Sequence, residues 1–383
     1  MKGSVLPVLA SALLCMLLFT ACQDLISDNL CLPGIDLEKL HTQLKQELPS
    51  GLKGYTYLIV KNGKVKFTRS KGYARSPSDG LQYWDEFQKM HVASISKTIT
   101  TVATMRLLKV KGLSLDEKFS KYLPPDWKIG PNVSSLSFRD LMSHRTGFLD
   151  VVNEDTTLST VYDRLKTMVA RGANGMKTRK YSNVHHALLR IILPILEDHP
   201  YTGGAIYDEA RTARRYEQIV KLQVFVPLGI GGAALQDNDP NAGVLAYSSA
   251  TDPSGVFETF DYRLRAGGYG WVLSAYDVAK FWAYLWHSDE LLDEEQRQQM
   301  RSSLVGLWNS DNTITGPYYG KLGGWFRVDP PDSNGLRHAL RSAAIEFRDG
   351  TAVVLFVNSP SARGLRDIIV TAYEKSYGGC PSS

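Results

Sequence analysis

The 383-residue chain is poor in several things, and each shortage narrows what it can be. Cysteine is scarce: there are four, and Cys15 and Cys22 fall within the first 22 residues, leaving Cys31 and Cys380 near the two ends of the remaining chain. Neither sign of charge dominates. A net charge of +5 over this length, with no basic block interleaved with aromatics, is not a nucleic-acid signature. No internal repeat and no low-complexity segment is present, which excludes solenoids and low-complexity linkers. Long apolar runs are missing too, apart from Val5 to Phe19, which is too short and wrongly flanked for a comfortable membrane span. Histidines do not gather at metal-ligand spacing. His185 and His186 are adjacent and point to different faces of a helix, so no metal site is expected. What is there is an ordinary globular composition, long enough for one large domain or two lobes.

The first 21 residues read as an export signal. Lys2 supplies the positive start, the apolar run comes next, and Phe19-Thr20-Ala21-Cys22 ends it. Small residues just before a cysteine resemble the lipobox of bacterial lipoproteins, with Phe19 where leucine is commoner. The resemblance implies cleavage before Cys22, lipid on that cysteine, and a lipid-anchored protein of the bacterial cell envelope facing the periplasm or the exterior. An ordinary signal peptide or a retained N-terminal anchor are the alternatives, and all three put the bulk of the protein outside the cytoplasm. That compartment permits a disulfide, and Cys31 and Cys380 are the candidates if the two ends lie close together. Residues 22–34 would then be a lipidated tether ahead of a domain over 35–378.

Strand and helix signals divide that domain. Leu37, Leu40, Leu44 and Leu48 fall at helical spacing behind a capping Asp36. Tyr55 to Val60 and Val65 to Thr68 flank an Asn62-Gly63 hairpin turn. Helical segments fill most of the middle, including Ser137 to Phe148, which is expected to end at Gly147. Strands return with Leu322 to Val328, Arg341 to Phe347 and Thr351 to Val357, the last pair turning at Asp349-Gly350. An amphipathic helix over Arg363 to Tyr377 closes the chain. The expected architecture is α/β (α+β) with two lobes. A sheet lobe comes from 35–90 and 320–378, a mostly helical lobe is inserted over 91–319, and a cleft lies between them.

The chemistry centres on His91 to Thr100, where Ser94 precedes Lys97 by three residues at the start of an apolar helical run. Residues i and i+3 share a helix face, so the amine and the hydroxyl are neighbours. An amine beside a serine lowers the cost of removing its proton, which is how a serine becomes a nucleophile. Farther on stands Tyr181-Ser182-Asn183. A phenol normally holds its proton to about pH 10, but a nearby ammonium such as Lys97 favours the phenolate. Tyr181 could then take the Ser94 proton and return one to a leaving group. Asn183 can bond Lys97 and a substrate carbonyl through the two ends of its amide. His144 reads as a packing or capping residue. Trp325 and Tyr269 could line the cleft, although aromatics are more often core.

These stretches together resemble the penicillin-recognising serine hydrolases, specifically the group holding class C β-lactamases, DD-carboxypeptidases and related esterases. Ala93-Ser94-Ile95-Ser96-Lys97-Thr98 looks like the group's first motif and Tyr181-Ser182-Asn183 like its second. Gly112 to Asp116, Asp140 to Gly147, Pro227 to Ile230 and Ala266-Gly267-Gly268-Tyr269 look like its other landmarks. The resemblance covers nearly the whole mature chain. It implies a β-lactamase/penicillin-binding-protein-like fold, no cofactor and no metal, and a small-molecule or peptide substrate. The third motif, a cation, a small residue and a glycine on the strand beside the nucleophile, is where the chain departs. Counting back from Asp349-Gly350 without gaps places it at Ser333-Asn334-Gly335, with the amides of Ser94 and Leu336 as oxyanion donors. His338-Ala339-Leu340 is the rival, keeping a cation and losing the glycine. With Ser333 where the cation should stand, an esterase or a hydrolase of small amides is expected, acting through an acyl-enzyme on Ser94. The alternatives are a weak or inactive binding lipoprotein, or a cell-wall carboxypeptidase or β-lactamase.

Overall fold

A computed structural model describes residues 33–149, 160–199, 207–236, 243–257, 261–326 and 337–379. In chain order the main elements are β1 (Gly34–Ile35), α1 (Leu37–Glu47), β2 (Gly54–Lys61), β3 (Lys64–Arg75), β4 (Gln82–Tyr83), β5 (Lys89–His91) and α2 (Ile95–Val110). Then come α3 (Phe138–Met142), α4 (Tyr162–Arg171), α5 (Asn183–Asp198), α6 (Glu209–Val220), β6 (Val272–Ser274), α7 (Ala275–His287) and α8 (Glu294–Ser303). The chain closes with β7 (Asn309–Thr313), β8 (Gly316–Phe326), β9 (Ala339–Phe347), β10 (Thr351–Val357), α9 (Leu365–Lys375) and β11 (Tyr377–Gly379).

Seven of these strands form one antiparallel sheet in the order β4-β3-β2-β10-β9-β8-β7. Both anticipated hairpin turns are present. Asn62 and Gly63 take φ of 48° and 76°, the left-handed pair that matches strand twist, and Gly350 takes 80°. Central strands β2, β9 and β10 are buried along nearly their whole length because both faces are covered. On one face α1 and α9 bury Leu40, Leu44, Ile368 and Ile369 against Tyr57, Ile59, Val353 and Leu355. On the other face lie α2, α7 and the helices of the middle of the chain.

Helix α2 is buried almost all round, from Ile95 to Leu108. A helix so placed must satisfy its own polar side chains. Thr98 donates to Gly306 O at 2.8 Å, Thr104 to Thr100 O at 2.8 Å, and Thr101 meets His186 Nε2 at 3.2 Å. The helix expected to end at Gly147 stops at Met142, because His144 adopts φ 62° and Gly147 the same value. A left-handed residue cannot continue a right-handed helix.

That turn delivers His144 into a buried chain of hydrogen bonds. The Ser182 N–H, which can only donate, points at His144 Nδ1 (3.4 Å) and makes it an acceptor. His185 Nδ1, 2.8 Å away, must therefore carry a proton, and its Nε2 accepts from Thr146 Oγ1 at 2.8 Å. Burial, with the charge of Lys97 added, lowers His185 to about 3, and burial alone lowers His91 to about 3. Both are held neutral in the fold while the unfolded chain protonates near 6.5. Their contribution to stability is thus complete above about pH 6.5 and is lost as pH falls from there toward 3. Melting temperature is expected to drop between pH 7 and pH 5, as each histidine removes up to roughly 1.4 kcal/mol of stability per pH unit, and His185→Phe should flatten the dependence.

Strand β1 pairs antiparallel with β11, Gly34 opposite Gly379. Cys22, Cys31 and Cys380 lie outside the described residues. Cys31 is three positions before Gly34 and Cys380 one after Gly379, which supports the bridge as a proposal. Non-reducing peptide mapping of the protein, purified without reductant, should recover the Cys31 and Cys380 peptides joined by a disulfide; two free thiols would exclude it.

Candidate active site

Ser94 is the residue on which α2 starts, and the turn before it is held from both sides. Val92 N donates to Trp271 O at 3.0 Å, and Ser342 Oγ on β9 donates to Val92 O at 2.9 Å. Ala93, next in the chain, is forced to φ 47°. Such a conformation in a residue with a Cβ is strained, and it aims Ser94 out of the helix end.

Around the Ser94 hydroxyl the first two motifs converge. Tyr181 OH lies 2.6 Å from Ser94 Oγ, and Lys97 Nζ donates to the same oxygen at 3.0 Å. Lys97 is fully buried. Its ammonium donates its other hydrogens to Asn183 Oδ1 (2.5 Å) and Gly268 O (2.6 Å), and it stands 4.8 Å from the Tyr181 ring centre. Three acceptors matching three N–H groups offset the desolvation of this ammonium. Asn183 is in reach because Ser182 caps α5, accepting from Val184 N at 3.3 Å. Gly268 is in reach because it lacks a side chain. A Cβ there would meet Asn183 O at 2.9 Å, and Gly267 (φ 108°) presses on His186 in the same way. The Ala266-Gly267-Gly268-Tyr269 run thus supplies a backbone carbonyl to the lysine.

Ser333, Asn334, Gly335 and Leu336 lie outside the described residues. His338 does not approach the serine through any described contact; its Nε2 faces Asp252 Oδ2 at 3.3 Å. The strand that does approach is β8. A Cβ on Gly323 would collide with Val92 O, Ser342 Oγ and the Ala93 side chain, so only glycine lets β8 lie against the serine turn. Two residues back on the same face is Lys321, fully buried, its Nζ 5.0 Å from the Tyr181 ring centre and without a hydrogen-bond partner among the described residues. Burial first, then the charges of Lys97 and Arg179, push its pKa well below the usual lysine range. Lys321-Leu322-Gly323 is a lysine, one residue and a glycine on the strand beside the nucleophile. Sequence reasoning missed it, although a lysine and a glycine two apart in a strand must share a face.

The walls are aromatic. Trp308 meets Tyr181 edge-on at 4.9 Å and carries the Arg179 guanidinium at 4.3 Å on its ring. The Tyr269 hydroxyl is taken by Thr160 Oγ1 at 2.7 Å, and Trp325 packs half-buried against the core. His185 and His186 serve the buried network, and the described residues hold no group of three or more His, Cys, Asp or Glu side chains suited to a metal.

Comparison with known proteins bears on the fold and the family. The chain is 26% identical over 175 residues to the Protein flp of Staphylococcus aureus (strain COL), a match over 43% of this chain but only 34% of that protein's length. Its fold superposes on D-amino acid amidase from Ochrobactrum anthropi with a TM-score of 0.63 at 16% identity, covering 88% of this chain and 97% of that one. A β-lactamase/D-alanine carboxypeptidase from Yersinia pestis superposes with a TM-score of 0.62 at 14% identity, with the same coverage. The beta-lactamase family profile matches residues 42–372, from α1 to α9, and the chain belongs to that family.

Proposed function

We propose that this is an exported serine hydrolase that cleaves an ester or small amide through an acyl-enzyme on Ser94. One observation carries the reading: the Ser94 hydroxyl is bonded at once by a phenol (2.6 Å) and by an ammonium (3.0 Å) that is itself tied to Asn183 and Gly268. Tyr181 takes the hydroxyl proton as Ser94 Oγ bonds the substrate carbonyl carbon. Lys97 holds Tyr181 as the phenolate beforehand, so that taking this proton leaves a phenol. The tetrahedral oxyanion is held by the amides of Ser94 and Gly324. Gly324 suits this role because Gly320 O accepts from Trp308 N on the outer edge of β8, and amides two and four residues on face the same edge. Strand β7 ends opposite Gly320, so that edge is open at Gly324 among the described residues. As the leaving group departs it takes the proton from Tyr181. Water then attacks the acyl carbonyl and gives its proton to the Tyr181 phenolate, and the phenol passes that proton to Ser94 Oγ as the bond to the acyl group breaks, restoring both residues. Export and anchoring at Cys22 are supported by the apolar run and the small residues before that cysteine.

Lys321 favours a second reading of the substrate. Preference for a neutral ester depends on a missing cation. A buried amine with unused hydrogens beside Tyr181 supports instead a substrate bearing a carboxylate, such as a peptide end. The D-alanine carboxypeptidase name of one structural neighbour supports that class.

Hydrolysis of a short-chain p-nitrophenyl ester should fall at least roughly a thousandfold in Ser94→Ala. Equal near-background rates in both proteins, with no serine labelling by a phosphonate probe, would leave a binding lipoprotein instead. Lys321→Met should lower kcat/KM about ten- to a hundredfold more on a substrate ending in a free carboxylate than on the neutral ester. Equal losses on both would make Lys321 a support for Tyr181 only.

A further inference from the structure

A second cavity of about 540 Å³ opens on the sheet face that carries Lys321, under the last turn of α7. On β8 and β9 the pair Lys321–Ala344 is followed by Tyr319–Glu346, and that second pair lines the cavity. Glu346 is 6% exposed. A carboxylate so buried calls for partners, and this one is short of them. His287 Nε2 lies 2.8 Å from Glu346 Oε1, but Oε2 has no partner among the described residues. The neighbouring acid, Asp349, is already held by Lys61 at 2.8 Å and by Thr351. Burial pushes the Glu346 carboxyl up to about 7, against the pull of His287, so a cation arriving at Oε2 would find a group ready to ionise.

The rest of the lining has the opposite character. Trp286 and Tyr319 give flat apolar walls, and Arg301 lies on the Trp286 ring at 4.9 Å while pairing with Glu294. Arg348 at the rim is exposed and makes no ion pair among the described residues. An unmet acceptor at depth, an unpaired guanidinium at the mouth and aromatic walls between them describe a zwitterion with an apolar side chain. We propose that this cavity binds a free α-amino acid, its ammonium on Glu346 and its carboxylate toward Arg348. The site is independent of the reaction at Ser94.

Calorimetric titration of the mature protein with L- and D-phenylalanine tests it, with phenethylamine and 3-phenylpropanoate as probes lacking one charge each. Saturable binding of at least one enantiomer is expected, and no binding of 3-phenylpropanoate. Glu346→Gln should weaken phenylalanine at least about tenfold, the weight of one charge-assisted hydrogen bond. Arg348→Ala should bring phenylalanine down to the affinity of phenethylamine, and Ser94→Ala should leave binding unchanged. Should Glu346→Gln fold poorly, as its melting curve would show, the exposed Arg348→Glu carries the test, because it should abolish binding without disturbing the core. No saturable heat in the wild type would mean a water-filled cavity only and overturn the proposal. So would binding that survives a folded Glu346→Gln, or that disappears in Ser94→Ala and so belongs to the catalytic cleft.

Discussion

Burying the ammonium of Lys97 is the constraint on which the rest of the structure depends. Its three hydrogen bonds reach the start of α2, the start of α5 and a loop glycine, three segments distant in sequence. Each of those segments carries a second device that keeps it there: Ser342 on Val92, Ser182 on Val184, and the missing side chain at Gly268. An unpaired ammonium at this depth would cost several kcal/mol, so the three segments are held in one arrangement by the penalty for any other. The geometry at the serine is therefore set before substrate arrives, which is what a preorganised site requires.

A second layer stands behind the first. The amide of Ser182 fixes the tautomer of His144, which fixes His185, which is met by Thr146. His144 also packs its ring 4.8 Å from that of Tyr181. Neutral imidazoles fill the space behind the phenol without adding a charge that would compete with Lys97 and Lys321. The role of the Asp140 to Gly147 stretch is thus to bring one left-handed histidine under the tyrosine.

Much of this was legible in the sequence for local reasons. Ser94 with Lys97, and Tyr181 with Asn183, are short runs whose spacing a helix or its first turn turns into adjacency. The hairpins at Asn62-Gly63 and Asp349-Gly350 were readable because those dipeptides suit one turn type. The approach of β8 was not legible. The connection from Phe326 to Ala339 is far longer than a hairpin turn, so stepping back without gaps from Asp349-Gly350 stops at Ser333, outside the described residues, and does not reach Lys321 and Gly323 on β8. Strand β8 also begins at Gly316, six residues ahead of the expected Leu322, because its glycines disguise a strand whose edge is mostly paired. The helix expected to run to Gly147 stops early for a different reason: a left-handed histidine leaves no mark in side-chain periodicity.

Ser94 occupies the capping position of α2, yet its side chain caps nothing. The first-turn amides that a capping serine would ordinarily bond are met here by backbone oxygens, Ser96 N by Ala93 O and Lys97 N by Ser94 O, both at 3.1 Å. The hydroxyl is thereby released from the helix and turned toward Tyr181 and Lys97, behind a strained Ala93. Folding of this turn does not draw on the serine oxygen. A lineage of this fold that gave up catalysis could therefore lose the nucleophile without loosening the helix, and only selection for the reaction retains it.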